Sequence, residues 1–116
     1  MNSRKIIERM ANAALDKKAK DIVIMDLKGQ SSLCDFQLVC SGDSDRQVAA
    51  IALHIEEKCR EEFNLKPTIT EGKSTGNWIL LDFNGIMVHV FLDDLRRYYA
   101  IETIWPLAEV TPIHQS

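Results

Sequence analysis

The chain has 116 residues, 46% of them apolar and 27% charged, with a formal net charge of −3. That content suits a single globular domain long enough for one core, no run approaches the roughly 18 apolar residues of a membrane span, and a net-negative chain is not a general nucleic-acid binder. Arg4, Lys5, Arg9, Lys17, Lys18 and Lys20, set against Glu8 and Asp16, make the first twenty residues net +4 and the remainder −7.

Ile6, Ile7, Met10, Ala14 and Leu15 recur at helical spacing and predict an amphipathic helix over residues 3–19. Asp21–Leu27, DIVIMDL, is apolar on both alternating faces, as a strand inside a sheet would be. After a loop at 28–32, Cys34, Phe36, Leu38 and Cys40 alternate with Asp35, Gln37 and Ser41, so the former are expected on one face. Ser44-Asp45-Arg46-Gln47 has the S-x-x-Q form of a capping box. The helix it opens has an inner stripe of Val48, Ile51, Ala52, Ile55 and Cys59 and ends near Asn64, before Pro67. A short strand at Thr68–Glu71 leads through Gly72 and Gly76 to the most informative stretch, Asn77–Leu92.

There, two apolar runs flank Asn84-Gly85, the pair best suited to the positive φ angles of a two-residue hairpin turn. The register follows: Phe83 opposes Ile86, Leu81 opposes Val88, and Ile79 opposes Val90, all apolar and therefore facing the core. The other face pairs Trp78 with Phe91, Leu80 with His89, and Asp82 with Met87. Either a further element covers this second face or it is a surface that meets a partner. Burying Asp82 and His89 unpaired would cost roughly 1–3 kcal/mol each, which favours the surface. Asp93-Asp94 suits a helix start, and Leu95–Ile104 continues as helix until Pro106. Residues 105–116 are expected to be a flexible tail.

The order α-β-β-α-β-β-β-α implies a single α+β domain over 1–116, in two layers. A mixed, mainly antiparallel sheet would carry its helices on one face. No signal peptide or organellar presequence is recognisable at the N-terminus, and a cytoplasmic bacterial protein is expected. Cys34, Cys40 and Cys59 have no CxxC spacing and are expected to be reduced core residues. His54, His89 and His114 are too scattered for a zinc site, so neither metal nor cofactor is expected. No phosphate-binding loop, dinucleotide fingerprint or nucleophile elbow is present. In Asp35-Phe36-Gln37, alternate positions could hold a pair of metal-binding carboxylates, but Gln37 cannot supply the second charge. No catalytic residue is assigned.

Several runs in order resemble the Iojap family, the ribosomal silencing factors: Asp21–Leu27, SSLCDF at 31–36, SGDSDRQVAAIA at 41–52, WILLDFNGIMVHVF at 78–91 and RRYYAIETIW at 96–105. The last is close to the family's R-x-x-Y-x-L-E-x-L-W ending, with Tyr98 and Ile101 where Phe and Leu are common. The resemblance spans about residues 5–105. It implies a nucleotidyltransferase-like core that lacks the catalytic carboxylate pair and is not an enzyme. It also implies binding to the large ribosomal subunit through its ribosomal protein number fourteen, which blocks small-subunit joining and lowers translation when nutrients are scarce. On the family's motif positions, Trp78, Leu80 and Phe91 are expected to form an apolar patch ringed by Asp82 and His89. Asp93 and Asp94 would complement a basic partner, and Arg96 would contact that partner or pair within its own helix. Arg46-Gln47, and Tyr99, Ile101, Ile104 and Trp105, are read as structural. Two other functions stay open, a large-subunit assembly adaptor and a divergent nucleotidyltransferase using Asp35. An open face or edge would allow a homodimer, and Arg4, Lys5 and Arg9 could touch ribosomal RNA.

Overall fold

The computed structural model describes residues 2–29, 34–95 and 109–113. Helix α1 (Ser3–Asp16) is capped by Asn2, whose side chain accepts the Lys5 N–H at 3.3 Å, and it buries Ile6, Ile7, Met10 and Ala14 as its periodicity dictates. Strands β1 (Lys20–Asp26) and β2 (Cys34–Gly42) follow, then α2 (Asp45–Phe63). The chain leaves α2 through Asn64 in the left-handed region, with the Leu65 N–H returning to the Cys59 carbonyl, a Schellman-type stop. Strands β3 (Ile69–Glu71), β4 (Trp78–Asp82) and β5 (Gly85–Leu92) come next, residues 93–95 are helical, and β6 (Glu109–Ile113) ends the described chain. The remainder of the helix expected to Ile104, with Arg96, Tyr99 and Trp105, lies outside the described residues. No helix among the described residues is long and apolar enough to cross a membrane.

Among the described residues the six strands form one sheet in the order β3-β4-β5-β2-β1-β6, in which only β2–β5 is parallel. The β4–β5 hairpin has the register expected from Asn84-Gly85, from Trp78↔Phe91 through Asp82↔Met87. Both turn residues have positive φ (65° and 107°), and the Phe83 N–H donates to the Ile86 carbonyl at 2.9 Å. Helices α1 and α2 pack on one face, where Ile22, Ile24, Phe36, Leu38, Ile79, Leu81, Val88 and Val90 meet Ile7, Met10, Ile51 and Ile55 in one core cluster.

Three expectations are corrected. Residues 109–113 are not part of a tail: β6 pairs antiparallel with β1 from Ile22↔Ile113 to Asp26↔Glu109. This pairing makes β1 an interior strand, which its apolar residues on both faces called for. Cys34 does not share a face with Phe36, Leu38 and Cys40. The β2–β5 register shifts between Cys34 and Phe36, and Cys34 packs with Met25 and Val39 on the opposite side. That opposite face is not bare. Met25, Leu27, Cys34, Val39 and Phe91 form a second buried cluster, and Leu95 of the helical turn 93–95 packs against it. Helical structure therefore touches both faces, and the two-layer arrangement holds only for α1 and α2.

Candidate partner-binding site

The strand registers lay out the second face as rows. One runs Ile69–Asp82–Met87–Gln37–Met25 and the next Glu71–Leu80–His89–Val39–Val23, while Trp78, Phe91 and Ser41 form a third. Exposure falls from the β3–β4 edge toward the middle of the sheet and rises again only at half-buried Val23 on β1. Ile69 is 49% exposed, Glu71 is exposed, Trp78, Leu80, Asp82 and Met87 are half-buried, and His89, Phe91 and Val39 are buried. The accessible part of the face is thus its β3–β4 margin, with Met87 from β5. The sequence places Met87 on this face opposite Asp82, but Ile69 and Glu71 were not singled out; the period-2 pattern would have reached those two only with the β3–β4 register in hand.

Five of the expected site residues, Trp78, Leu80, Asp82, His89 and Phe91, do share this face. They do not stand equally. Phe91 (0% exposed) and His89 (3%) lie beneath Trp78, so they support the surface instead of presenting themselves, a correction to a patch displaying Phe91 and His89. The Trp78 indole stacks on Phe91 at 4.9 Å between centroids, and its Nε1–H donates to His89 Nδ1 at 3.2 Å. Burial holds the imidazole down to about 4 from its ordinary 6.5, so His89 is neutral at physiological pH. Asp82 also acts on its own strand end, where its Oδ1 accepts the Asn84 N–H at 2.9 Å and steadies the hairpin turn. Asp93 and Asp94 follow the far end of β5. Asp93 pairs with Lys20 at 3.7 Å, while Asp94 is exposed. Acidic groups therefore bracket the patch at both ends of the hairpin. Arg96 lies outside the described residues.

Gly72 positions the site and was passed over as a connector in the sequence. At φ +87° it packs so closely on the start of β4 that an added Cβ would lie 1.8 Å from the Trp78 carbonyl oxygen. Two other readings find structural explanations. Gln47 clamps three segments: its Oε1 accepts the Asp43 N–H at 2.6 Å and its Nε2 donates to the carbonyls of Lys17 and Lys18. The Ser44 hydroxyl accepts the Gln47 N–H, so the α2 start uses its own donors as a capping box does, shifted by one residue. Arg4 bonds Asp26 at 3.3 Å and Arg9 bonds both carboxylate oxygens of Glu62, at 2.9 and 3.0 Å, so these cations brace α1 against β1 and α2. Asp35 is exposed, whereas Gln37 is 2% exposed and its Oε1 has no hydrogen-bond partner among the described residues.

A family model described as ribosomal silencing factor during starvation (RsfS) matches residues 1–116. The chain belongs to the RsfS family. It is 39% identical over 113 residues to the ribosomal silencing factor RsfS of Bacillus subtilis, covering 95% of each chain. Its fold is similar to a crystal structure of a Chromobacterium violaceum protein, with a TM-score of 0.88 at 33% identity, covering 99% of this chain and 95% of that one. A more distant relative, 26% identical over 106 residues, is the mouse protein named mitochondrial assembly of ribosomal large subunit protein 1, of which the match covers 45%. Family membership makes this a translation-regulating, ribosome-related protein. It also turns attention to the β3–β4 margin of the second face, where apolar and acidic side chains stand together at the surface.

Proposed function

We propose that this protein silences large ribosomal subunits. In this reading the β3–β4 margin of the second face docks on the large subunit's ribosomal protein number fourteen, bars the small subunit, and represses translation in the cytoplasm when nutrients are scarce. The observation that carries the reading is the grouping of Ile69, Trp78 and Leu80, partly exposed, with Asp82 and Glu71 beside them. An apolar centre with an aromatic anchor and a charged rim is what protein interfaces use, and the acidic rim suits a basic ribosomal protein. The core is read as nucleotidyltransferase-like in form only, because Gln37 stands where a second carboxylate would be needed.

The name of the mouse relative favours a second reading, in which the same surface serves large-subunit assembly. Titrating purified ribosomal protein number fourteen with wild type and with Ile69→Lys tests the surface without touching the core, since Ile69 is half exposed. Micromolar or tighter binding that Ile69→Lys weakens about tenfold supports the surface. Equal binding by both proteins contradicts it. Binding to immature particles but not to mature subunits would select the assembly reading.

A further inference from the structure

His89 occupies a costly place for an imidazole. The residue is 3% exposed, its ring lies beside the stacked Trp78 and Phe91 rings at centroid separations of 5.9 and 6.0 Å, and it sits in a row with Leu80 and Val39. An indole N–H only donates, so the bond from Trp78 Nε1 at 3.2 Å makes His89 Nδ1 an acceptor and leaves the neutral ring's proton on Nε2. Nε2 is buried and has no hydrogen-bond partner among the described residues. A buried N–H without an acceptor destabilises the fold. A phenyl ring would fill similar space without that burden, so packing does not explain a histidine here. The acceptor does. It gives a direction to the half-exposed Trp78 ring that stacking on Phe91, a contact tolerant of sliding and rotation, supplies less well.

We propose that His89 is a positioning residue for the partner-binding surface: its Nδ1 holds the Trp78 indole in the orientation the partner meets. The proposal rests on the reading of Trp78 as an anchor of that surface. His89 itself is buried and touches no partner. Its action is exerted through Trp78, by presenting the indole already oriented and so sparing the ordering that binding would otherwise impose.

The test compares wild type, His89→Phe, His89→Gln and Trp78→Ala by thermal melting, by sedimentation with purified large subunits, and by the indole N–H signals in a 1H–15N spectrum. The Trp78 signal is assigned by its loss in Trp78→Ala. His89→Phe should melt at or above the wild type yet bind large subunits about tenfold more weakly, with the Trp78 N–H signal shifted upfield as its bond is lost. His89→Gln restores a carbonyl acceptor and should recover most of the binding and the downfield signal. A His89→Phe protein that binds like wild type, or that melts well below it, overturns the proposal. So does His89→Gln if it recovers the signal but not the binding. If Trp78→Ala alone leaves binding intact, the surface reading beneath the proposal has failed; if Trp78→Ala abolishes binding while His89→Phe does not, only the positioning role has.

Discussion

Acidification offers a sharp test of the second face, because His89 is neutral in the folded protein and readily protonated in the unfolded chain. Burial holds its imidazole down to about 4, against the ordinary 6.5. Between those two values the unfolded chain binds the proton and the folded one does not. Stability is therefore full above about pH 6.5 and is lost as pH falls toward 4. The complete loss is about 3 kcal/mol, and from about pH 7.5 to about pH 5 it amounts to about 2 kcal/mol. The assay is urea unfolding at a series of pH values, with His89→Phe alongside, and the difference between the two proteins isolates this group from every other that titrates. At about 1–3 kcal/mol per molar urea, the wild-type midpoint should fall by about 1 M relative to His89→Phe over that range. Parallel curves for the two proteins would refute the placement of a neutral, desolvated imidazole beneath Trp78.

Gly72→Ala should destabilise by about 3 kcal/mol, since its Cβ would overlap the Trp78 carbonyl at a strained φ. Gly29→Ala, also at positive φ but with nothing within 4 Å, should cost only about 1 kcal/mol in the same thermal melts, and equal losses would contradict the close packing at Gly72. Gln47→Leu removes three backbone partners and should cost about 2 kcal/mol, with faster amide exchange at Asp43; an unchanged melt would show that the clamp contributes nothing. A chain ending at residue 108 loses β6, bares the β1 edge, and should lose about 2 kcal/mol or more and self-associate. A monomer of wild-type stability would mean that β6 does not hold the sheet.

The hairpin was the most legible part of the chain. Asn84-Gly85 sets the turn, and a period of two then fixes every pair from Trp78↔Phe91 to Asp82↔Met87. The helices were legible for the same reason, through the spacing of Ile7 and Met10 and the cap at Ser44. What escaped depends on partners distant in sequence. Strand β6 has little alternation of its own and carries Pro112, so only its pairing with β1 identifies it. The bulge that turns Cys34 to the second face leaves no mark in an alternating run. The depth of His89 and Phe91 could not be read from the hairpin either, because two faces that both carry apolar residues look alike until β1 and β2 are seen to extend the second face with Met25 and Val39 and Leu95 to pack against it. Asp35 and Gln37 illustrate the converse case: side-chain chemistry alone, without any geometry, argued that the carboxylate pair of a metal-dependent transferase is incomplete.

The central claim is that the margin around Trp78 meets the large subunit and keeps the small one away. It is tested most directly by sedimenting purified large subunits with wild type and with Trp78→Ala, its fold checked by circular dichroism, and then adding small subunits and scoring joined ribosomes. The account predicts that wild type co-sediments and suppresses joining, and that Trp78→Ala binds about 30-fold more weakly, as loss of an anchor worth about 2 kcal/mol requires, and lets joining proceed. A folded Trp78→Ala protein that binds and blocks joining as well as the wild type would contradict it.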